Sequence, residues 1–125
     1  MLTHMIKDID IALLQETHFT KTSLKKWRTA RFRSVHAAFG PSNARGAAIV
    51  ARKQNDMESG NIWEDRIVAG ILETAVGRTN IVNIYAPNVT AAKRSHEEYL
   101  QFMSGLDNIL ANLNGPLILA GDLNI

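Results

Sequence analysis

The order of sequence patterns predicts an α+β fold in which helices pack on the outside of largely antiparallel sheets. Short apolar and β-branched runs, such as residues 66–76 and 80–85, follow one another through turns. Only two or three stretches have the apolar spacing of a helix. A doubly wound parallel sheet needs a helix between nearly every pair of strands, so it is the weaker fit.

Length and composition fit one domain over residues 1–125. The chain is 46% hydrophobic, which is enough for a core, and it has no cysteine, which excludes disulfides and thiolate metal sites. No apolar run reaches the roughly 18 residues typical of a membrane span. The N-terminus lacks the apolar core of a signal peptide, so we expect an intracellular protein with no membrane partner.

The first half of the chain predicts alternating helices and strands. A short amphipathic helix is expected over residues 2–9, and a buried strand over 11–14 that ends in polar groups. A second helix or helical turn is expected over 20–30. A strand is expected over 31–39, where polar and apolar residues alternate loosely, closed by a turn at 40–43, and a fully apolar strand is expected over 46–51.

The second half contains the clearest helix. Residues 54–61 are polar and predict a long loop, while 66–76 and 80–85 predict an antiparallel hairpin. An S-x-x-E capping pattern at Ser95 and Glu98 predicts the start of a helix, which the Asn-Gly-Pro sequence at 114–116 stops. Residues 117–125 then predict a buried strand.

Charge is unevenly distributed along the chain. Residues 17–53 contain nine basic residues and no acid, whereas residues 54–125 contain four basic and nine acidic residues. A cationic block of this kind can bind a phosphate backbone. A solvated basic face without a partner is an equally good interpretation.

Two carboxylates follow apolar strands directly, which predicts that they lie at a shared edge of the fold. Glu16 follows residues 11–14, and Asp122 lies near the end of residues 117–125. Mg²⁺ is held by one or two carboxylates together with water and substrate phosphate oxygens, so this pair is a sufficient ligand set. The alternative is that both acids cap turns.

Four polar residues are further candidates for the same edge. Asn124 can orient a phosphate or a water by hydrogen bonding, and the hydroxyl of Tyr85 can donate to a phosphate oxygen. Arg45 and Asn88 are polar residues next to turns and are candidates for binding substrate. For Tyr85, the alternative is an aromatic core residue with a solvated tip. Phosphate-loop, dinucleotide-binding, serine-hydrolase and zincin motifs are absent.

Four sequence blocks in order resemble the endonuclease/exonuclease/phosphatase superfamily. Within it, they are most similar to the apurinic-type endonuclease domain of non-LTR (LINE-type) retrotransposons. The blocks are I-A-L-L-Q-E-T-H at 11–18, R-G-A-A-I-V-A at 45–51, I-V-N-I-Y-A-P-N at 81–88 and L-I-L-A-G-D-L-N-I at 117–125. The resemblance implies a four-layer α/β/β/α sandwich like that of DNase I, here incomplete at both ends.

The resemblance also implies roles for individual residues. Glu16 matches the metal-binding glutamate of the superfamily, and Tyr85 matches its phosphate-contacting tyrosine. Asp122 and Asn124 match a pair in which the aspartate positions or activates the attacking water and the asparagine supports the site. The implied cofactor is Mg²⁺ or Mn²⁺, with no small-molecule cofactor, and the implied substrate is DNA.

Two family segments are not expected in this chain: the N-terminal strand with its asparagine and the C-terminal aspartate and histidine motifs. We therefore expect a partial endonuclease domain that hydrolyses DNA phosphodiester bonds, derived from a retroelement. Its expected partners are the missing domain segments or a parent reverse transcriptase polyprotein. The alternatives are an inactive remnant that binds nucleic acid and a phosphatase of the same superfamily.

Overall fold

A computed structural model describes residues 10–20, 32–40, 45–52, 57–74 and 77–124. The predicted helix at 2–9, nearly all of the predicted helix at 20–30 and of the turn at 40–43, and six of the nine basic residues of 17–53 lie outside these residues. The described elements are seven strands and one helix, in the order β1 (Ile11–Gln15), β2 (Phe32–Ala38), β3 (Ala47–Arg52), β4 (Met57–Trp63), β5 (Ile67–Thr74), β6 (Gly77–Tyr85), α1 (Lys93–Ala111) and β7 (Leu117–Asp122).

The first sheet has three antiparallel strands in the order β1-β3-β2. Its central strand, β3, has five buried residues in succession, Ala47 to Ala51. Since a central strand covered on both faces exposes neither set of alternating side chains, a continuous apolar run is what this position requires. The prediction of a fully apolar strand here is confirmed, as is the preceding strand.

The second sheet has four strands in the order β4-β5-β6-β7. β5 and β6 form the predicted antiparallel hairpin, with Ile67 opposite Ile84 and Thr74 opposite Gly77. β7 is added to β6 in parallel, so that Tyr85 is opposite Asp122. Because the two strands are parallel, their C-terminal residues lie side by side at the same end of the sheet.

The two sheets pack face to face, and the helix covers the outer face of the second sheet. Ile49 of the first sheet shares a buried cluster with Val68 and Ile81 of the second. On the other side of the second sheet, Phe102 and Leu106 of α1 pack against strands β5 and β6. This layering confirms the predicted α+β class.

The helix begins two residues before the predicted capping residue. α1 starts at Lys93, and the hydroxyl of Ser95 donates to the carbonyl oxygens of Ala92 (2.8 Å) and Thr90 (3.1 Å). Ser95 is thus inside the first turn, where its hydroxyl also accepts the N–H of Thr90 (2.9 Å) and so binds the preceding loop instead of capping the N–H groups of the helix. The predicted stop is confirmed, because the helix ends at Ala111.

Residues 57–63 form a strand, so the prediction of a long loop over 54–61 was wrong for this part. β4 pairs with β5 from Met57 to Trp63, with a register irregularity between Ser59 and Ile62. It is an edge strand that exposes several polar residues, and this explains a polar composition that does not resemble a buried strand.

The prediction that the first and last strands are buried was also wrong. β1 is half-buried throughout, and all six residues of β7 are exposed. Both are edge strands of their sheets, so neighbouring strands cover each of them along one side only. Along β7, Leu119 and Leu123 border an open apolar groove of about 320 Å³.

Close approach of β6 and β7 depends on Gly121. Its φ is +139°, and a Cβ at this position would overlap the carbonyl oxygen of Ile84. Gly121→Ala is expected to lower the free energy of unfolding by about 1–3 kcal/mol or more, because backbone strain and overlap act together. Urea unfolding measures this.

The matched control is Gly77→Ala. Gly77 has a similar φ of +119°, but a Cβ added to it would meet no atom within 4 Å. This variant therefore carries the backbone strain without the overlap. Equal losses of stability in the two variants would contradict a steric role for Gly121.

Candidate active site

Three predicted site residues converge where β1, β6 and β7 end. The hydroxyl of Tyr85, at the end of β6, donates to Oε1 of Glu16 at 2.8 Å. Asp122 is paired with Tyr85 in the parallel ladder, so their side chains point to the same face of the sheet. Glu16 follows the end of β1 in the other sheet. We call this group of Glu16, Tyr85 and Asp122 the rim site.

Arg66 holds Tyr85 in place. The backbone N–H of Tyr85 donates to the carbonyl oxygen of Arg66 at 2.8 Å, and Nη1 of Arg66 donates back to the carbonyl oxygen of Tyr85 at 3.1 Å. The guanidinium lies 5.2 Å from the centre of the Tyr85 ring, within the range of a cation–π contact. Tyr85 is only 9% exposed, so its ring is fixed while its hydroxyl reaches the rim site.

Burial raises the pKa of Tyr85 above its ordinary value of 10.0. The hydrogen bond to Glu16 and the negative charges of Glu16 and Asp122 raise this pKa further, while the positive charge of Arg66 lowers it. Tyr85 therefore stays protonated as a neutral hydrogen-bond donor over the working range of pH. The influence of both carboxylates also shows that all three groups share one electrostatic environment.

Glu16→Gln is expected to lower the pKa of Tyr85 toward its ordinary value, because it removes a neighbouring negative charge. Folding raises this pKa, so protonated Tyr85 contributes its full share to the free energy of unfolding below the unfolded pKa of 10.0. That contribution is lost as the pH rises through the folded pKa. Tyr85 and Tyr99 are the two tyrosines, so tyrosinate absorbance in a Tyr99→Phe background isolates Tyr85. An unchanged pKa in Glu16→Gln would contradict the coupling.

Asn124 fixes the end of β7 to the loop after β6. Its backbone N–H donates to Oδ1 of Asp122 at 3.0 Å, and its side-chain amide donates to the carbonyl oxygen of Ala86. The N–H of Ala86 in turn donates to the carbonyl oxygen of Asp122 at 2.8 Å. Asn124 thus orients the Asp122 carboxylate and joins the two strand ends.

Unusual backbone conformations concentrate near the rim site. In the described part of the chain, five non-glycine residues have positive φ, and they include Glu16 (50°), His18 (54°), Arg45 (56°) and Asn124 (51°). The N–H of His18 donates to the carbonyl oxygen of Arg45 at 2.9 Å, which joins two of these segments. Such conformations cost free energy and often occur at functional sites, so their grouping supports a functional role for this edge.

Of the two predicted substrate-binding residues, Arg45 is joined by its backbone to the segment that follows Glu16, whereas no contact joins Asn88 to the rim site among the described residues. Nε of Arg45 lies 2.7 Å from Oδ2 of the buried Asp65, outside hydrogen-bonding angles, so charge attraction holds this contact. Arg45 also lines a polar groove of about 220 Å³ together with Arg66 and Arg94. Asn88 is exposed in the loop between β6 and α1. Substrate binding by Arg45 and Asn88 stays a prediction.

Sequence reasoning missed Arg66 and two amides beneath the rim site, Gln15 and Asn83. Gln15 donates to Oδ1 of Asn83 at 2.7 Å. A signal for Asn83 was available, because it is an amide between the apolar residues Val82 and Ile84, where an unpaired polar group would be costly. Nothing in the sequence distinguishes Arg66 from other cations that precede strands.

The oxygen donors of the rim site suit a hard divalent cation. Among the described residues, no group of three or more His, Cys, Asp or Glu side chains is arranged to hold a metal. Mg²⁺ needs only one or two carboxylates, because water and substrate phosphate complete its shell. Glu16 and Asp122 fit such a site, since both are exposed and both influence Tyr85.

Comparison with known proteins supports the resemblance seen in the four sequence blocks. The sequence model of the Endonuclease/Exonuclease/phosphatase family matches residues 1–125. The chain belongs to this family. No curated protein matches the sequence closely enough to add to this assignment.

In the part of the chain that the structure describes, no helix is long and apolar enough to cross a membrane.

Solved structures share the fold. The Xenopus laevis APE2 catalytic domain superposes with a TM-score of 0.70 at 19% identity, over 99% of this chain and 53% of that one. A Neisseria 3′ phosphatase, NExo, bound to a product DNA hairpin, gives 0.69 at 20% identity, over 99% and 51%. Caenorhabditis elegans TDP2 gives 0.61 at 20% identity, over 99% and 41%.

These likenesses show the fold, because identities near 20% do not carry activity. The chain spans about half the length of the first two solved structures. The DNase I-like sandwich predicted from the sequence is confirmed. The described residues supply two sheets and one outer helix of it.

Proposed function

We propose that this chain carries part of the active site of a divalent-metal-dependent nuclease that hydrolyses DNA phosphodiester bonds. The observation that supports this most directly is the hydrogen bond between Tyr85 and Glu16, which joins the two sheets where β7 presents Asp122. The rim site thus combines three groups: the Glu16 carboxylate for a cation, the neutral phenol of Tyr85, and the Asp122 carboxylate for a water. Together these groups can supply the charge stabilisation and the positioned water that phosphodiester hydrolysis requires.

The residues have distinct roles in this proposal. Glu16 holds Mg²⁺ or Mn²⁺, which when bound supplies positive charge to the phosphate oxygens. Tyr85, kept protonated by burial and by its acidic neighbours, redirects its single O–H from Glu16 to a non-bridging phosphate oxygen when substrate binds. Asp122 orients a water and accepts its proton while the water oxygen bonds to phosphorus. The P–O bond to the leaving strand then breaks, and that oxygen takes a proton from solvent.

DNA is the favoured substrate class because of the basic block at residues 17–53 and the four sequence blocks that resemble a retrotransposon endonuclease. Arg45, Arg66 and Arg94 line the groove next to the rim site, and residues 17–53 contain no acid. The acids Glu64 and Glu98 also line that groove, so it is mixed in charge and does not bind anions on charge alone. A phosphatase of the same family would use the same rim site on a phosphomonoester.

A panel of substrates separates the candidate functions. The chain is incubated with supercoiled plasmid, with DNA that ends in a 3′-phosphate and with an inositol phosphate, each with Mg²⁺ and with EDTA. Mg²⁺-dependent nicking is the expected result. Release of inorganic phosphate without nicking would replace the nuclease by a phosphatase, and DNA binding without either reaction would identify an inactive nucleic-acid-binding domain.

We also propose that the chain derives from the endonuclease domain of a non-LTR retrotransposon and belongs with a larger reverse transcriptase polyprotein. The four sequence blocks support this origin, and the chain's span of about half of each of the first two solved structures supports a longer parent domain. The adjoining coding sequence tests it. A downstream reverse transcriptase region is expected, and an unrelated reading frame there would overturn the proposed origin.

A further inference from the structure

A buried amide side chain joins the two sheets beneath the rim site. Asn83 of β6 is fully buried, although its neighbours Val82 and Ile84 are apolar. Its Nδ2 donates to the carbonyl oxygens of Leu14 and Ala48, each at 2.9 Å. These two residues are directly paired in the first sheet. Both N–H groups of Asn83 are therefore used to hold the opposite sheet.

The remaining polar atom of Asn83 is bound by Gln15. Nε2 of Gln15 donates to Oδ1 of Asn83 at 2.7 Å and makes a longer contact of 3.4 Å with the carbonyl oxygen of Leu13. Gln15 is the last residue of β1 and is half-buried. Three short hydrogen bonds thus connect β6 to β1 and β3. We call Gln15 and Asn83 the amide clamp.

The amide clamp is adjacent to the rim site in both strands. Gln15 directly precedes Glu16, and Asn83 lies two residues before Tyr85, on the same face of β6. The bond from Gln15 to Asn83 therefore runs beside the bond from Tyr85 to Glu16. Any shift of β1 along β6 would lengthen both bonds together.

Backbone hydrogen bonds from Thr17 to Gly46 and from His18 to Arg45 hold Glu16 to the first sheet, but they do not set its position relative to the second sheet. Glu16 is exposed, it lies just past the end of β1, and its φ is +50°. The apolar contacts between the sheets, such as Ile49 with Val68, are not directional and tolerate small sliding movements. Hydrogen bonds have narrow ranges of length and angle, so the amide clamp is what defines the relative position of the two strands.

We infer that Gln15 and Asn83 are positioning residues that set the separation between Glu16 and Tyr85, and so the geometry in which the rim site holds its cation. The part of this inference that concerns cation binding and catalysis rests on the proposed function. Its structural consequence, a fixed environment for the Tyr85 ring, does not depend on activity. The two consequences can therefore be measured separately.

The test variant is Gln15→Met, which keeps the length of the side chain but removes its donor. Asn83 keeps both of its bonds to backbone carbonyls, so the fold is retained. Loss of a group that orients a metal ligand typically costs about 10- to 100-fold in metal affinity or activity. We expect the Mg²⁺ concentration for half-maximal nicking to rise within this range, and the NMR signals of the Tyr85 ring to shift in a Tyr99→Phe background.

The matched control is Asn80→Leu, or Asn80→Ser if the larger residue prevents folding. Asn80 is another buried amide of β6, and it donates to the carbonyl oxygens of Asn114 (2.7 Å) and Pro116 (3.3 Å), away from the rim site. Its replacement lowers the melting temperature without changing the Mg²⁺ requirement or the Tyr85 signals. This separates positioning from a general loss of stability.

The outcomes distinguish the inference from the proposed function. If Gln15→Met leaves the Tyr85 signals unchanged, or changes them no more than the Asn80 variant does, the positioning role is overturned. If the unmodified chain shows no Mg²⁺-dependent nicking, the proposed function is overturned, and the Tyr85 signals still decide whether the amide clamp positions the rim site. A shift of those signals in Gln15→Met alone supports it.

Discussion

Asp122→Ala is expected to lower the rate of Mg²⁺-dependent plasmid nicking by about 10²- to 10³-fold, the usual cost of removing one well-placed group that acts in the transition state. Asp122 is exposed at the end of β7, so its side chain contributes little to the core. The substitution removes the group that we propose orients and deprotonates the attacking water, together with the acceptor for the N–H of Asn124. The initial rate of nicking at saturating Mg²⁺ measures the effect.

The control for this prediction is Asp107→Ala. Asp107 is also an exposed aspartate, but it lies on α1, so its replacement makes the same change in net charge without altering the rim site. Nicking is expected to be unchanged in this variant. A loss of activity shared equally by both variants would show that net charge, and not the position of Asp122, controls the reaction.

Phe102→Ala is expected to lower the free energy of unfolding by about 3–5 kcal/mol, the usual range for truncating a buried aromatic residue. Phe102 is fully buried between α1 and the second sheet. Its ring centre lies 6.1 Å from that of Trp63 and 6.0 Å from that of Tyr99, in edge and tilted arrangements that add to the burial. Since domains are often stable by only about 5–15 kcal/mol, much of the stability would be lost.

Leu100→Ala on the same helix is the matched control. Leu100 is 69% exposed, so its truncation removes little buried surface and is expected to change stability by no more than about 0.5 kcal/mol. Urea unfolding followed by circular dichroism compares the two variants. Similar midpoints in the two would show that α1 does not pack on the second sheet as described.

Hydrophobic patterns predicted most of the described elements. The fully apolar β3, the β5–β6 hairpin and α1 each have a period or run that belongs to one kind of structure. β4 was missed because an edge strand that exposes polar residues has the composition of a loop. The exposure of β7 was missed for a related reason, since an apolar run does not reveal whether a neighbouring strand covers it.

The sequence predicted those site residues that stand at the ends of apolar runs. Glu16, Tyr85 and Asp122 each follow or end an apolar run, and the structure brings them together. The role of Arg66 could not be predicted, because its contacts with Tyr85 depend on the register of the β5–β6 hairpin, which places Ile67 opposite Ile84. The amide clamp likewise depends on how the two sheets face each other, and the sequence does not specify that packing.

The central claim is that the rim site holds one divalent cation on Glu16, beside Tyr85 and Asp122, and calorimetric titration with Mn²⁺ tests it most directly. The unmodified chain is expected to bind a single ion. Glu16→Gln should weaken that binding by at least about tenfold, because it removes a charged ligand, while Asp107→Asn should leave it unchanged. Equal Mn²⁺ affinities in the unmodified chain and Glu16→Gln, or no binding by the unmodified chain, would contradict the claim.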